Sequence, residues 1–166
     1  MKKREFFKLL VLGVVLLAID FISKRWVHLY ISPTLSKGAV VFQDFLGIDF
    51  FIHHVTNRGA AWGVGEAFQG GLVWLRVAII VGLFVYMKIS SKALTYRYPL
   101  TMIAAGGMGN ILDYFIYGHV VDMFHFVFWG YSYPVFNVAD SSIFLGIVWL
   151  LCFSFIHRRK DVVSQS

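Results

Sequence analysis

Residues 6–26 read FFKLLVLGVVLLAIDFISKRW, an apolar run entered by Lys8 and closed by Asp20, Lys24 and Arg25. About 20 apolar residues are what a helix needs to cross a bilayer. The run resembles a secretory signal peptide, because Met1, Lys2, Lys3 and Arg4 precede it. No small-x-small cleavage motif follows, however, and charged residues come instead. The segment is therefore expected to stay as a first span. Three further apolar runs occupy residues 70–87, 99–117 and 141–156.

The composition leaves no soluble alternative. Of 166 residues, 58% are hydrophobic and only 14% charged, and the mean hydropathy is +0.71. A soluble domain this small needs polar side chains for a large surface. Disorder, coiled coil and collagen fail on the same grounds. The expectation is one membrane domain over residues 1–166 with four transmembrane helices. Cys152, the single cysteine, lies in the last run, so neither an intrachain disulfide nor a cysteine zinc cluster can form.

Charge orients the spans. The formal net charge is +6, but the basic residues form short clusters between apolar runs and not a nucleic-acid-binding face. Lys2, Lys3, Arg4 and Lys8 lead the first span, Lys88, Lys92 and Arg97 separate the second from the third, and Arg158, Arg159 and Lys160 follow the fourth. Residues 118–140 contain no Lys or Arg, and only Lys37 and Arg58 lie between the first two spans. The positive-inside rule puts both termini in the cytoplasm and the two long connections outside. Within residues 31–69, the stretches 40–42 and 48–55 are β-rich, with Gly47 in a turn between them. A small extracytoplasmic sheet between spans one and two is expected.

Asp20, Asp113, Asp122 and Asp140 fall within the apolar spans or at their outer ends. A charge inside a bilayer costs roughly 2.5–3.5 kcal/mol on insertion scales, so each acid needs a reason. Lys24 follows Asp20 by one helical turn, which reads as a structural ion pair. Asn110 precedes Asp113 by three residues, which reads as local support. Asp122 and Asp140 have no Lys or Arg within ten residues. Asp140 alone could be a helix N-cap. Two such carboxylates at one depth cannot both ionise cheaply, so one serves as acid and the other as base, as a water-activating aspartyl protease requires. Against this stand His119, Asp122 and His125, spaced three apart as if to share a helical face and hold a metal. The spacing is not that of a His-Glu-x-x-His zinc site, and no third strong ligand is obvious. His53 and His54 have no clear partner. No Gly-x-Ser-x-Gly or Ser-Lys arrangement supports a serine protease.

Four blocks in order resemble the lipoprotein signal peptidases, the signal peptidase II family of bacterial membrane aspartyl peptidases. They are Asp20-x-x-x-Lys24; Asn57-Arg58-Gly59-Ala60-Ala61-Trp62; Gly106-Gly107-Met108-Gly109-Asn110-x-x-Asp113; and Val120-Val121-Asp122 followed by Phe136-Asn137-x-Ala139-Asp140. The resemblance implies that Asp122 and Asp140 are catalytic. It implies that Asp20, Lys24, Asn57, Gly59, Gly109, Asn110, Asp113, Asn137 and Ala139 bind substrate or support the site. The chain departs from the family in two places. Ala105-Gly106-Gly107-Met108 stands where the family has Gly-Gly-Ala-x, and Asp113-Tyr114 stands where it has Asp-Arg. Two readings of Tyr114 stand: it replaces the packing of the arginine's stem while Arg58 or Arg76 supplies the missing charge, or it is simply an interfacial aromatic anchor.

The implied activity is removal of the signal peptide from prolipoproteins carrying a diacylglyceryl-modified cysteine, cut on the N-terminal side of that cysteine. No cofactor or metal is implied. The expected setting is the bacterial inner membrane, multi-pass, with the site on the extracytoplasmic side. The expected partners are the lipid-modified substrate and membrane lipids, with no nucleic acid, and the chain acting as a monomer. The competing reading is a non-enzymatic four-span ion-binding or transport bundle, although no internal repeat supports it.

Overall fold

The computed structural model describes residues 3–34, 38–59, 69–90 and 96–163, with side chains at all but 69 and 156–163. Met1, Lys2, Lys37, Ala60, Ala61, Trp62 and Lys92, named above, lie outside the described residues, as do the side chains of Arg158, Arg159 and Lys160. Among the described residues are four long helices: α1 (Lys3–Tyr30), α2 (Gln69–Ile89), α3 (Arg97–Tyr117) and α4 (Val138–Val163). Each contains one of the apolar runs and extends beyond it. At 1.5 Å per residue, the 28 residues of α1 reach about 42 Å, so its ends pass beyond a hydrocarbon core of about 30 Å.

Three of these helices are long and apolar enough to cross a membrane: α1, residues Gly70–Ile89 of α2 and Val138–Phe155 of α4. The third, α3, carries Asn110, Asp113 and three glycines, which dilute its hydropathy. It is the hub of the bundle: α1, α2 and α4 all pack on it. Its glycines permit that closeness. A Cβ on Gly106 would strike the carbonyl of Ala139 in α4, and one on Gly109 would strike the Asp20 carboxylate of α1.

The molecule buries a polar cluster among small apolar residues and turns large apolar side chains outward. Asp20, Lys24, Asn110, Asp113, Asp122 and Asn137 are buried, while Phe7, Ile22, Trp74, Ile79, Phe144 and Phe155 are exposed. Such a surface suits lipid, because hydrocarbon rewards apolar contact and penalises unpaired polar groups.

The sheet corrects one expectation. It is not confined to the connection between the first two spans. Strands β1 (Ala39–Phe45), β2 (Ile48–Asn57), β3 (Val120–Phe128) and β4 (Tyr131–Ser132) form one antiparallel sheet in that order. Half of it therefore comes from the α3–α4 connection. The expected turn at Gly47 is present, with φ of 77°, and the ring of Trp129 leaves no room for a Cβ there. Phe50 stacks on Phe126 across β2 and β3 at 4.3 Å. Val27 of α1 packs with Val121 and Met123 of β3, and this small core seats the sheet on the helices.

Candidate active site

The lower layer of the site is built around Lys24, which is fully buried. Its Nζ lies 2.8 Å from Asp20 Oδ2 and 2.8 Å from Asp113 Oδ2, and donates to Asn110 Oδ1 at 2.9 Å. An ammonium has three N–H donors, and all three are used. The i,i+4 pair expected on α1 is present, but Asp113 joins it and accepts the Val121 N–H at 3.1 Å. Asp113 thus ties the α3 helix to the start of β3. Asp20 reaches the other way: its Oδ1 accepts the Ala139 N–H at 2.8 Å.

Asn137 opens α4 as its N-cap. Its Oδ1 accepts the Asp140 N–H at 2.8 Å, and Asp140 Oδ2 accepts the Asn137 N–H at 3.3 Å. This reciprocal pair has the logic of a capping box. Asp140 is therefore the third residue of the helix, and the N-cap suggested for it belongs to Asn137. Ala139 is the second residue, so its otherwise orphaned N–H is the one that Asp20 satisfies.

The upper layer holds the two carboxylates without a basic neighbour in sequence. Asn137 Nδ2 donates to Asp122 Oδ1 at 2.7 Å, and Asn57 Nδ2 donates to Asp122 Oδ2 at 2.9 Å. Asn57 is held for this by its own turn, Oδ1 accepting the Gly59 N–H at 2.9 Å. Sheet register explains the meeting: Val55 pairs with Asp122 and Asn57 with Val120, so Asn57 and Asp122 share a face. Asn110 Nδ2 donates to Asp140 Oδ1 at 2.8 Å. Each carboxylate therefore has a side-chain amide on at least one oxygen, and Asn137 touches both.

Burial pushes the Asp122 carboxyl up to about 7, with the Asp140 charge acting in the same direction; its asparagine donors and Lys24 oppose this only partly. Both aspartates line a cleft of about 750 Å³, along with Asn57, Gly59 and Asn110. Asp20, Lys24 and Asp113 lie beneath it. Arg58 and Arg76 are on its wall, and Arg76 Nη2 reaches the Gly59 carbonyl at 3.4 Å. Tyr114 is absent from that wall; its ring packs edge-on to Phe115 at 5.7 Å. Phe136, which opens the Asn137-x-Ala139-Asp140 block, also lines the cleft, as do Tyr131 and Tyr133, which nothing in their local sequence marks for it.

The histidines resolve differently from the sequence reading. Residues 120–128 are a strand, so Asp122 and His125, three apart, point to opposite faces. His125 instead meets His53 across the strands at 3.1 Å and Ser132 at 2.8 Å. His54 Nδ1 donates to the Ile31 carbonyl at 2.9 Å. Both members of the His53-His54 pair thus have partners that β-pairing and chain folding supply. Among the described residues no three His, Cys, Asp or Glu side chains are grouped to hold a metal.

Helices with an apolar exterior, a buried ion cluster and a carboxylate-bearing cleft under a small antiparallel sheet define a membrane-type helical fold. Two solved structures described as a bacterial membrane enzyme studied by the in meso method share it. One, at 2.3 Å resolution, has a TM-score of 0.72 and 25% identity, covering 96% of this chain and 92% of that one. The other, at 1.9 Å, has a TM-score of 0.69 and 25% identity over 87% and 90% of the two chains. Residues 12–156 match the family described as Signal peptidase (SPase) II, and the chain belongs to that family. The lipoprotein signal peptidase of Staphylococcus haemolyticus is 31% identical over 99% of each chain. That of Chlamydia trachomatis serovar D is 35% identical over 83% of this chain and 85% of its own. That of Synechocystis is 34% identical over 96% and 94%.

Proposed function

We propose that this chain is an aspartic endopeptidase that removes the signal peptide of diacylglyceryl-modified prolipoproteins, cutting N-terminal to the lipidated cysteine. The observation that carries the reading is Asn137, which contacts Asp122 through its side-chain amide and Asp140 through its backbone N–H and side-chain oxygen. Two carboxylates locked to one residue at one cleft are the arrangement that lets a proton be shared. Asp122, pushed up by burial, holds the proton. The first turn of α4 favours negative charge on Asp140. The Asp140 carboxylate removes a proton from water, and the oxygen attacks the scissile carbonyl while Asp122 protonates the carbonyl oxygen. Collapse of the tetrahedral intermediate expels the amine, which takes the proton held by Asp140, and the carbonyl re-forms as its proton returns to Asp122. Asn57 and Asn110 hold the two carboxylates in register. Asp20, Lys24 and Asp113, with Gly109 and Ala139, form the support beneath.

The same reading places the protein in the bacterial inner membrane with four spans, both termini cytoplasmic and the cleft at the outer surface. That depth suits the substrate: acyl chains stay in the bilayer and the scissile bond lies at its edge. The chain is proposed to act as a monomer without cofactor. Cleavage of a lipidated prolipoprotein in detergent by wild type, Asp122→Asn and Asp140→Asn tests it. Each variant should lose at least about 10²–10⁴-fold in turnover, as expected for an acid or a base. Substantial cleavage by either sinks the assignment. Cysteines introduced near positions 2 and 130 test the topology: an impermeant reagent should label intact cells only at 130.

A further inference from the structure

A second concavity lies far from the cleft. The α1 and α2 helices both pack on α3, and residues of all three line an apolar groove of about 380 Å³ with α3 as its floor. Along α1 it runs from Phe6 to Leu17, which at 1.5 Å per residue is about 16 Å. That is one leaflet of a hydrocarbon core about 30 Å thick. Gly13 on the α1 wall and Thr101 and Ala104 on the floor are small and keep the groove open, and Arg97 lies at the end where α1 begins.

Charge and size select the occupant. Arg97 is half-buried and makes no ion pair among the described residues. Glu5, the neighbouring acid, is held by Lys8 at 2.7 Å and by the Tyr98 hydroxyl at 3.2 Å. Lys88, in the last turn of α2, adds positive charge at this end. The amino-terminal region of a signal peptide is itself basic, so this end repels it. A helix about 10 Å across would fill about 1,300 Å³ over the same length, more than the roughly 1020 Å³ of empty space in and above the groove. An acyl chain is thin enough, and a phosphate ester at its head supplies the missing anion.

We infer that the α1–α2–α3 groove is a binding site for an anionic phospholipid of the cytoplasmic leaflet, with one acyl chain in the groove and the phosphate on Arg97. The leaflet assignment rests on the proposed topology; the binding itself does not depend on the peptidase chemistry. Retention of lipid by the purified protein, presented in detergent with equal phosphatidylglycerol and phosphatidylcholine, is read by native mass spectrometry. Wild type should retain phosphatidylglycerol over phosphatidylcholine by roughly fivefold, the contribution of one basic residue near an anionic lipid. Arg97→Gln should abolish the preference and Arg97→Lys should keep it. Gly13→Leu, which fills the groove, should reduce retention of both lipids while Arg97 is intact. Equal retention of the two lipids by wild type, or an unchanged preference in Arg97→Gln, overturns the proposal. So does undiminished retention in Gly13→Leu. Cleavage is not the readout, so a failed lipid test leaves the peptidase reading to its own experiment.

Discussion

The carboxylate of Asp20, on α1, accepts the backbone N–H of Ala139, on α4, at 2.8 Å. A helix in the first quarter of the chain thus holds the opening turn of the last one, and with it Asp140. Gly109 lies between them, where a Cβ would strike Asp20 and come within 3.3 Å of the Ala139 methyl.

Asp20→Asn should therefore lower stability more than it changes the chemistry. Among the described residues it leaves Lys24 with Asp113 as its only carboxylate, and breaking a buried pair costs about 3–5 kcal/mol when no other partner remains. The surviving partner puts the expected loss at or below the lower end of that range. Gly109→Ala should cost about 1–3 kcal/mol through overpacking. Thermal unfolding in detergent measures both, and an unshifted midpoint for Asp20→Asn contradicts the support role.

The Asp122 carboxyl, held at about 7, sets the pH behaviour. A folded value above the unfolded 3.8 means that the folded state binds the extra proton. The associated stability is full below 3.8 and is lost as pH rises through about 7. Asp122→Asn should remove that decline. In wild type, kcat/KM should fall on the alkaline side from about pH 7, as the shared proton leaves the pair. A profile flat from pH 6 to 9 argues against Asp122 as the acid.

His119 behaves in the opposite sense. Burial, followed by the charges of Arg58, His54 and His28, holds it below its ordinary 6.5. Its stability contribution is present above 6.5 and is lost as pH falls through the lowered value. His119→Gln should flatten the acid side of a stability profile taken between pH 8 and 5. The double variant His119→Ala, His125→Ala should keep cleavage activity, and a chelator should leave it unchanged. Activity lost to chelator and restored by zinc would point to a metallopeptidase.

Tyr114 stands where the family has arginine, yet it packs away from the cleft while Arg58 and Arg76 line it. Arg58→Ala or Arg76→Ala should raise KM more than it lowers kcat, because a cation there grips substrate and moves no proton. Tyr114→Arg should be tolerated. If both arginine variants stay within about twofold of wild type in KM and kcat, roughly 0.4 kcal/mol, the compensation idea is wrong.

Hydropathy, charge clusters and β-branched stretches are one-dimensional signals, and they were enough to locate the four long helices and the turn at Gly47. They also isolated Asp122 and Asp140, because an acid without a local cation in an apolar chain is conspicuous however the chain folds. The helical spacing of His119, Asp122 and His125 misled, since hydrogen bonding to β2 made that segment a strand and changed its period. Nor could sequence show that both long connections build one sheet. The contacts that assemble the site join Lys24 to Asn110 across 86 positions and Asp20 to Ala139 across 119. Such contacts leave no local periodicity, because they depend on how three helices pack around the glycines of α3. Only that packing brings Asn137 against both carboxylates.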